Sequence, residues 1–289
     1  MPNPSPQLSG VPFGNRLGFS SRYQKGEHYY SENIGPTMHG FAPAWLMSSL
    51  VSSATLTDLS AVPTWFAQVK QSGTKKLYFT DGGDIFSYIS TAWAKANTPT
   101  AAPLGLIGDQ KNRLLYVSAQ YLGMFDGTTW TYNWKDFGSA VSATYMQMDT
   151  YESDVLIMRG NKVCRLASDD SITADATPAF DMPSGFDGRA IRSGKNGILM
   201  GFNLNSRAVL VLWDDYSDRS IAPWIWLDSN VQAIVPWGSN WLVICTDEII
   251  LTNGYTSEHF AFPPHVYFGS VSSGFSVLPQ GAAVVKNKL

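Results

Sequence analysis

Few stretches of this 289-residue chain combine residue types and spacing that could do chemistry. The stretch FDGTTWTYNW (125–134) sets Asp126 and Gly127 between apolar residues and a run of Thr and Trp. Asp-Gly between two apolar segments is a strong signal for a β-hairpin, because glycine accepts a positive φ without steric cost. We therefore expect a hairpin whose Trp130 packs between sheets, rather than a ligand-binding loop.

Acidic residues offer two other kinds of site. The loop LWDDYSDRS (212–220) holds three Asp, but it lacks the turn Gly and the closing Glu of a calcium loop, so we expect a solvated hairpin tip. A glycoside hydrolase needs two carboxylates that face one pore. Asp109, Asp154 and Asp187 are candidates, and the sequence gives no reason to choose among them.

The four histidines form no zinc-binding pattern, and no nucleotide-binding or nucleophile-elbow motif occurs. We expect no metal, no cofactor and no enzymatic activity. The two cysteines, Cys164 and Cys245, lie in apolar strand-like runs, and we expect two buried thiols.

Tryptophans are the most distinctive candidates for binding. Trp224 and Trp226 lie in the run PWIWLD, where alternation places both on one face of a strand. Three interpretations stay open: a packed interface between sheets, a stacking platform for sugar, or a contact between subunits.

The elements that must position these residues follow a repeat. Short, strongly apolar runs begin at 77 (LYF), 114 (LLYV), 155 (VLI), 198 (ILM) and 241 (WLVI). Each has a strand-like piece before it and two after it, with turn signals between. In the third repeat, we expect the last of these pieces at Ile172. Four short strands about every 40 residues are typical of a β-propeller. We predict an all-β fold, a β-propeller of about six four-stranded blades; a pair of stacked β-sandwiches is the main alternative.

The repeats also predict how the chain is divided. Five full repeats span about 64–265, and a sixth begins near 266 with only two strands. We expect strands within 43–51 and 54–60 to complete this sixth blade, because an open ring leaves an unpaired edge; a shortened ring is the alternative. The predicted domains are an irregular N-terminal arm (1–42) and the propeller (43–289).

The arm is rich in aromatic residues, which is unusual for a disordered tail. Tyr29 and Tyr30 lie in it and Trp45 follows it, and we expect the arm to dock on a neighbouring subunit or on its own propeller. These three residues join Trp224 and Trp226 as the predicted residues for an interface or for ligand stacking.

Composition narrows the class of partner. A net charge of −3 gives no basic excess for a phosphate backbone, so we do not expect nucleic acid as a main partner. The chain has no apolar run long enough to span a membrane. Charged residues make up only 15% and aromatic residues 13%, which suits large protein–protein interfaces.

The segments YYSENIGPTMHGFAPAWLMSS, LYF…DIFSY…AW and LLYV…MFDGTTWT resemble those of β-propeller structural proteins of tailed-phage virions, such as tail nozzles and tail hubs. The resemblance implies a non-enzymatic virion component, in the tail or neck, that is made in the host cytoplasm. It also implies a symmetric homo-oligomeric ring that contacts other virion proteins or a host surface glycan. A carbohydrate-binding propeller is the alternative, and a glycoside hydrolase is a further one.

Overall fold

The structure, a computed structural model, describes residues 64–89, 92–143, 145–213, 224–246 and 248–261, and the backbone of two short strands before them. The chain divides into two compact units, Met1–Thr57 with Ala261–Phe275, and Asp58–Phe260 with Ser276–Leu289. In the first unit, strands β1 (Ile34–Thr37) and β2 (Gly40–Pro43) form an antiparallel hairpin. The remaining described strands belong to the second unit, except for the final residue of the last strand.

The second unit contains five four-stranded sheets, each made from strands that are consecutive in the sequence. The strands, sheet by sheet, are β3 (Phe66–Gln71), β4 (Thr74–Asp81), β5 (Asp84–Ile89) and β6 (Ala92–Asn97); β7 (Gly105–Gly108), β8 (Leu114–Val117), β9 (Tyr121–Phe125) and β10 (Trp130–Asp136); β11 (Met148–Tyr151), β12 (Asp154–Arg159), β13 (Lys162–Leu166) and β14 (Phe180–Asp181); β15 (Asp187–Gly194), β16 (Gly197–Leu204), β17 (Arg207–Trp213) and β18 (Trp224–Leu227); β19 (Val231–Trp237), β20 (Asn240–Cys245), β21 (Glu248–Thr252) and β22 (Ser257–Ala261). This arrangement confirms the predicted all-β fold and its repeat.

The first strand of each sheet lies beside the first strand of the next. Contacts run from β3 to β7, from β7 to β11, from β11 to β15 and from β15 to β19. We call these five the inner strands. The second strands of the middle three sheets contribute side chains to the cores on both of their faces, and β8 and β12 are buried over their whole length. This burial explains why the second strand is the most apolar piece of each repeat.

Four apolar cores fill the spaces between consecutive sheets, and each mixes side chains from the two sheets that it joins. Between the first and second sheets, for example, Val69 and Tyr78 pack with Leu106 and Tyr116. Each large apolar side chain that becomes fully buried contributes about 1.5–3 kcal/mol to folding. The sheets therefore stabilise one another, because none of them can bury both of its faces alone.

The inner strands approach one another so closely that some positions accept only glycine. A Cβ atom on Gly105 of β7 would lie 2.0 Å from the carbonyl oxygen of Met146, just before β11. A Cβ atom on Gly108 would lie 2.4 Å from the carbonyl oxygen of Gln68 in β3. These two glycines let the second sheet fit between its neighbours.

One strand lies away from its predicted place. We expected the fourth strand of the third repeat at Ile172, but β14 lies at Phe180–Asp181 and Ile172 makes only an isolated bridge to Leu166. The polar loop between β13 and β14 is held instead by an ion pair between Asp175 and Arg159. The predicted sixth blade, and the segments 43–51 and 54–60 that we expected to complete it, lie outside the described side chains.

Candidate functional site

The stretch 125–134 forms the predicted hairpin between β9 and β10. The Asp126 carboxylate accepts hydrogen bonds from the backbone N–H groups of Thr129 (2.7 Å) and Thr128 (2.8 Å), which lower its pKa. Gly127 has a φ of 103°, which other residues rarely adopt. Trp130 stacks on Phe125 with ring centroids 4.3 Å apart and packs against the core between the first two sheets. This stretch is structural.

The three carboxylates proposed for a glycosidase do not converge. Asp109 accepts a hydrogen bond from Arg113 (2.7 Å), and Asp154 accepts one from Arg165 (2.7 Å). These two carboxylates lie where inner strands have ended, whereas Asp187 lies at the start of β15. β15 runs parallel to β11, because Ile191 bonds to Gln147 and Ser193 bonds to Asp149. Asp187 therefore lies at the opposite end of these strands from Asp154.

Trp224 and Trp226 lie on the same face of β18, as their alternation predicts, with ring centroids 6.1 Å apart. Phe186, which precedes β15, lies 6.1 Å from Trp224 and 6.2 Å from Trp226. We call these three residues the aromatic patch. Trp224 packs against the core between the third and fourth sheets, and Trp226 is 53% exposed. Trp226 is thus not buried between sheets.

The other predicted residues lie outside the described part of the chain. They are Tyr29, Tyr30 and Trp45, together with Asp214, Asp215 and Asp218 of the acidic loop.

A second group of side chains, which sequence reasoning did not identify, lies at the start of the inner strands. The Arg189 guanidinium lies over the ring of Tyr145, 5.1 Å from its centroid, and its Nη2 donates to Gln232 Oε1 (3.3 Å). Trp65 meets Tyr145 edge to face at 6.2 Å. With Asp187, these residues form what we call the inner-strand cluster.

Two β-bulges place the polar members of this cluster. In the β15–β16 ladder, Gly188 pairs with Phe202 and Ala190 with Gly201, so Arg189 is the extra residue. The β19–β20 ladder shifts in the same way between Val231 and Ala233, and Gln232 is the extra residue there. A bulge turns its extra residue out of the regular alternation and is frequent beside functional sites. Arg189 and Gln232 are 43 residues apart, one repeat.

The surroundings in the inner-strand cluster shift the pKa values of Asp187 and Arg189 towards their uncharged forms. Loss of hydration raises the pKa of Asp187, and the positive charge of Arg189 opposes this only in part. Loss of hydration also lowers the pKa of Arg189, although the electrostatic effects of Tyr145 and Asp187 raise this pKa in part. Asp187 is exposed, whereas Arg189 is half-buried. A guanidinium that is partly removed from water and lies near a carboxylate is a feature of many functional sites.

A third polar group is internal. Arg159 donates to both oxygens of Asp175, with Nε–Oδ1 and Nη2–Oδ2 distances of 3.0 Å. Its guanidinium also lies 4.0 Å from the ring centroid of Phe137. Both charged side chains are almost fully buried, so this pair ties the third sheet to the second and is closed to a ligand.

Among the described residues, no group of three or more His, Cys, Asp or Glu side chains could hold a metal ion. In the same part of the chain, no helix has the length and apolar character needed to cross a membrane. Cys164 and Cys245 are both buried free thiols, and burial raises the pKa of Cys164 to about 12.

Comparison with known proteins gives a fold but no family. No family model and no curated protein matches the chain. Among solved structures, streptogramin B lyase is similar with a TM-score of 0.56 and 14% identity, over 73% of this chain and 72% of that one. Virginiamycin B lyase from Staphylococcus aureus gives 0.54 and 14%, over 72% and 73%. BBS1N in complex with ARL6DN gives 0.50 and 12%, over 67% and 63%.

The fold is a β-propeller. The five sheets are its blades, as the sequence predicted.

The expectation that this propeller is not an enzyme is corrected by the same comparison, because two of the similar structures are lyases. The expectation relied on the lack of a local catalytic motif. Propeller blades bring together single residues that are about 40 positions apart, so a site on this fold needs no local motif. At 14% identity, the likeness concerns the fold and carries over no substrate or catalytic residue.

Proposed function

We propose that this β-propeller is a structural component of a tailed-phage particle that assembles with copies of itself through the aromatic patch. The observation that carries the proposal is the exposure of Trp226, at 53%, beside two other aromatic rings. The resemblance of its sequence segments to virion propellers supports the particle as the setting. The low content of charged residues, 15%, also suits a chain that buries much of its surface in contacts with other proteins.

The patch has the composition of an interface centre. Tryptophan is enriched among the residues that dominate binding energy, which cluster in desolvated centres surrounded by polar rims. Covering the exposed half of a Trp side chain removes roughly 100 Å² from water, which contributes about 2–3 kcal/mol. Arg207 and Asp228, paired at 2.7 Å and well exposed, lie side by side at one end of the β17–β18 pair and supply polar groups near the patch.

The position of the patch also favours contact with another chain. β18 is the last strand of its sheet in the hydrogen-bonding order, so the patch lies on the outer side of the fourth blade. BBS1N, one of the similar structures, was solved in a complex with another protein, ARL6DN. Proteins of this fold therefore include ones that bind a protein partner.

Sedimentation velocity over a concentration series tests the proposal. We expect the full chain to form a defined oligomer and Trp226→Ala to shift the distribution towards the monomer. Tyr255→Ala is the matched control, because Tyr255 is similarly exposed (51%) and lies on the fifth blade. A monomeric wild-type chain, or equal effects of the two substitutions, would overturn the proposal.

Sugar stacking is the second candidate, since it also requires an exposed Trp. The rings of the patch are tilted by 53–74° relative to one another. They therefore do not form one flat platform on which successive sugar rings could stack, which favours a protein surface. A glycan array distinguishes the two: glycan binding that Trp226→Ala abolishes, in a chain that stays monomeric, would replace the assembly proposal.

A further inference from the structure

The inner-strand cluster adjoins the aromatic patch, since Phe186 and Asp187 are consecutive residues, but it has a different chemical character. It joins side chains from the starts of four sheets: Trp65 before β3, Tyr145 before β11, Arg189 in β15 and Gln232 in β19. Tyr145, Arg189 and Gln232 are half-buried, so solvent reaches part of each. We propose that this cluster binds a small organic carboxylate, with Arg189 holding the carboxylate and Tyr145 packing against the carbon skeleton.

The position of Arg189 over Tyr145 restricts the side from which a ligand can approach the guanidinium. The guanidinium group is planar, so its N–H donors lie in one plane. Gln232 fixes the rotation of this plane by accepting from Nη2. Gln232 is held in turn, because its Nε2 donates to Thr246 Oγ1 (3.3 Å). Such a fixed planar fork matches the geometry of a carboxylate.

Two repeat-equivalent bulges are the second observation. A regular ladder would keep Arg189 and Gln232 in the alternation of their strands, and each bulge gives up part of the pairing to re-aim one side chain. The blades that carry them are consecutive, so the two re-aimed side chains meet. Each of the two bulges gives up ladder hydrogen bonds, and together they produce a single contact between two side chains. This indicates that natural selection has maintained the arrangement.

The surroundings favour a single negative charge on the ligand. Asp187 lies two residues before Arg189 on the same strand, and its charge acts on the guanidinium. A dianion such as phosphate would meet stronger repulsion from Asp187 than a monocarboxylate would. The half-buried ring of Tyr145, which the buried Trp65 supports from behind, offers an apolar surface that suits a carbon skeleton.

Isothermal titration calorimetry with benzoate, and with its neutral analogue benzamide, tests the inference. We expect saturable benzoate binding to the full chain and at least about tenfold weaker binding of benzamide, because a charged hydrogen-bonded pair is lost. Arg189→Gln should weaken benzoate binding to the same extent. This variant is conservative, because the next blade carries Gln232 at the equivalent position.

Arg192→Gln is the matched control, because Arg192 lies on the same strand and faces Asp149 at 3.6 Å. It should change the affinity for benzoate less than twofold. If circular dichroism shows that Arg189→Gln does not fold, Gln232→Leu replaces it and should also weaken binding, by releasing the guanidinium. No saturable binding of benzoate, equal binding of benzamide, an equal loss in Arg192→Gln or no loss in Gln232→Leu would overturn the inference.

Discussion

Arg159 and Asp175 form a bidentate ion pair in the interior, with two N–O distances of 3.0 Å and side chains that are 0% and 5% exposed. The same guanidinium donates to the carbonyl oxygens of Ala119 (3.0 Å) and Ser139 (2.9 Å), both in turns of the second blade. Ser139 also donates to Asp175 (2.6 Å). This network fixes the loop between β13 and β14 and joins two blades.

Removing one partner of this pair should be strongly destabilising. Arg159→Met leaves the Asp175 carboxylate buried without its main donor, and we expect the free energy of unfolding to fall by about 3–5 kcal/mol. The matched control is Arg207→Met, whose pair with Asp228 is well exposed and should contribute at most about 1 kcal/mol. Urea denaturation measures both. Similar losses in the two variants would contradict the role of burial.

The pair also predicts how stability depends on pH. Burial raises the pKa of Asp175, but hydrogen bonds from Arg159 and Ser139 outweigh this and hold the pKa below its usual value. A lowered folded-state pKa gives stability that is fully present above the unfolded value, near 3.9, and is lost as the pH falls through the folded value. Asp175→Asn should therefore flatten the acid side of the stability curve. We would measure urea unfolding from pH 6 to pH 3; identical slopes in both proteins would contradict this assignment.

The close approach of the inner strands gives a further prediction. In Gly105→Ala the new methyl group would lie 2.0 Å from the backbone oxygen of Met146, and neither strand can move without disturbing its own sheet. We expect a loss of about 1–3 kcal/mol or more in the free energy of unfolding. Gly83→Ala is the control, because a methyl group at this position would have no atom within 4 Å and the φ of Gly83 is not positive. Thermal unfolding should show a lower Tm for Gly105→Ala alone.

Two tryptophans separate core packing from surface recognition. Trp241 is fully buried in the core between the fourth and fifth blades, and Trp241→Ala should cost about 3–5 kcal/mol of stability. Trp226 is 53% exposed, so Trp226→Ala should leave the stability of the isolated chain within about 1 kcal/mol of wild type. Urea denaturation at low protein concentration checks both values. A large loss in Trp226→Ala would make Trp226 a core residue.

The repeat could be predicted from the sequence because the second strands of the middle blades are buried on both faces and are therefore mostly apolar, as in β8 and β12. The pairing of Trp224 with Trp226 was readable because strand side chains alternate. The position of β14 could not be predicted in this way, because a buried ion pair between Arg159 and Asp175 holds the preceding loop. Contacts between residues that are distant in the sequence leave no local pattern.

The inner-strand cluster was missed for a related reason. Its members come from four different repeats, and the bulges that re-aim Arg189 and Gln232 depend on the register of the strand ladders. A signal was nevertheless present. Aligning the repeats by their second strands places Arg189 and Gln232 in one column, where polar residues stand at the start of otherwise apolar strands, and places Tyr145 in the neighbouring column.

Electron cryomicroscopy of the purified assembly tests the central proposal most directly, because it shows which surface of each propeller meets its neighbour. We expect the aromatic patch of Phe186, Trp224 and Trp226 to lie within the contact between subunits, with Trp226 covered. A reconstruction in which the subunits meet elsewhere and Trp226 faces solvent would contradict the account.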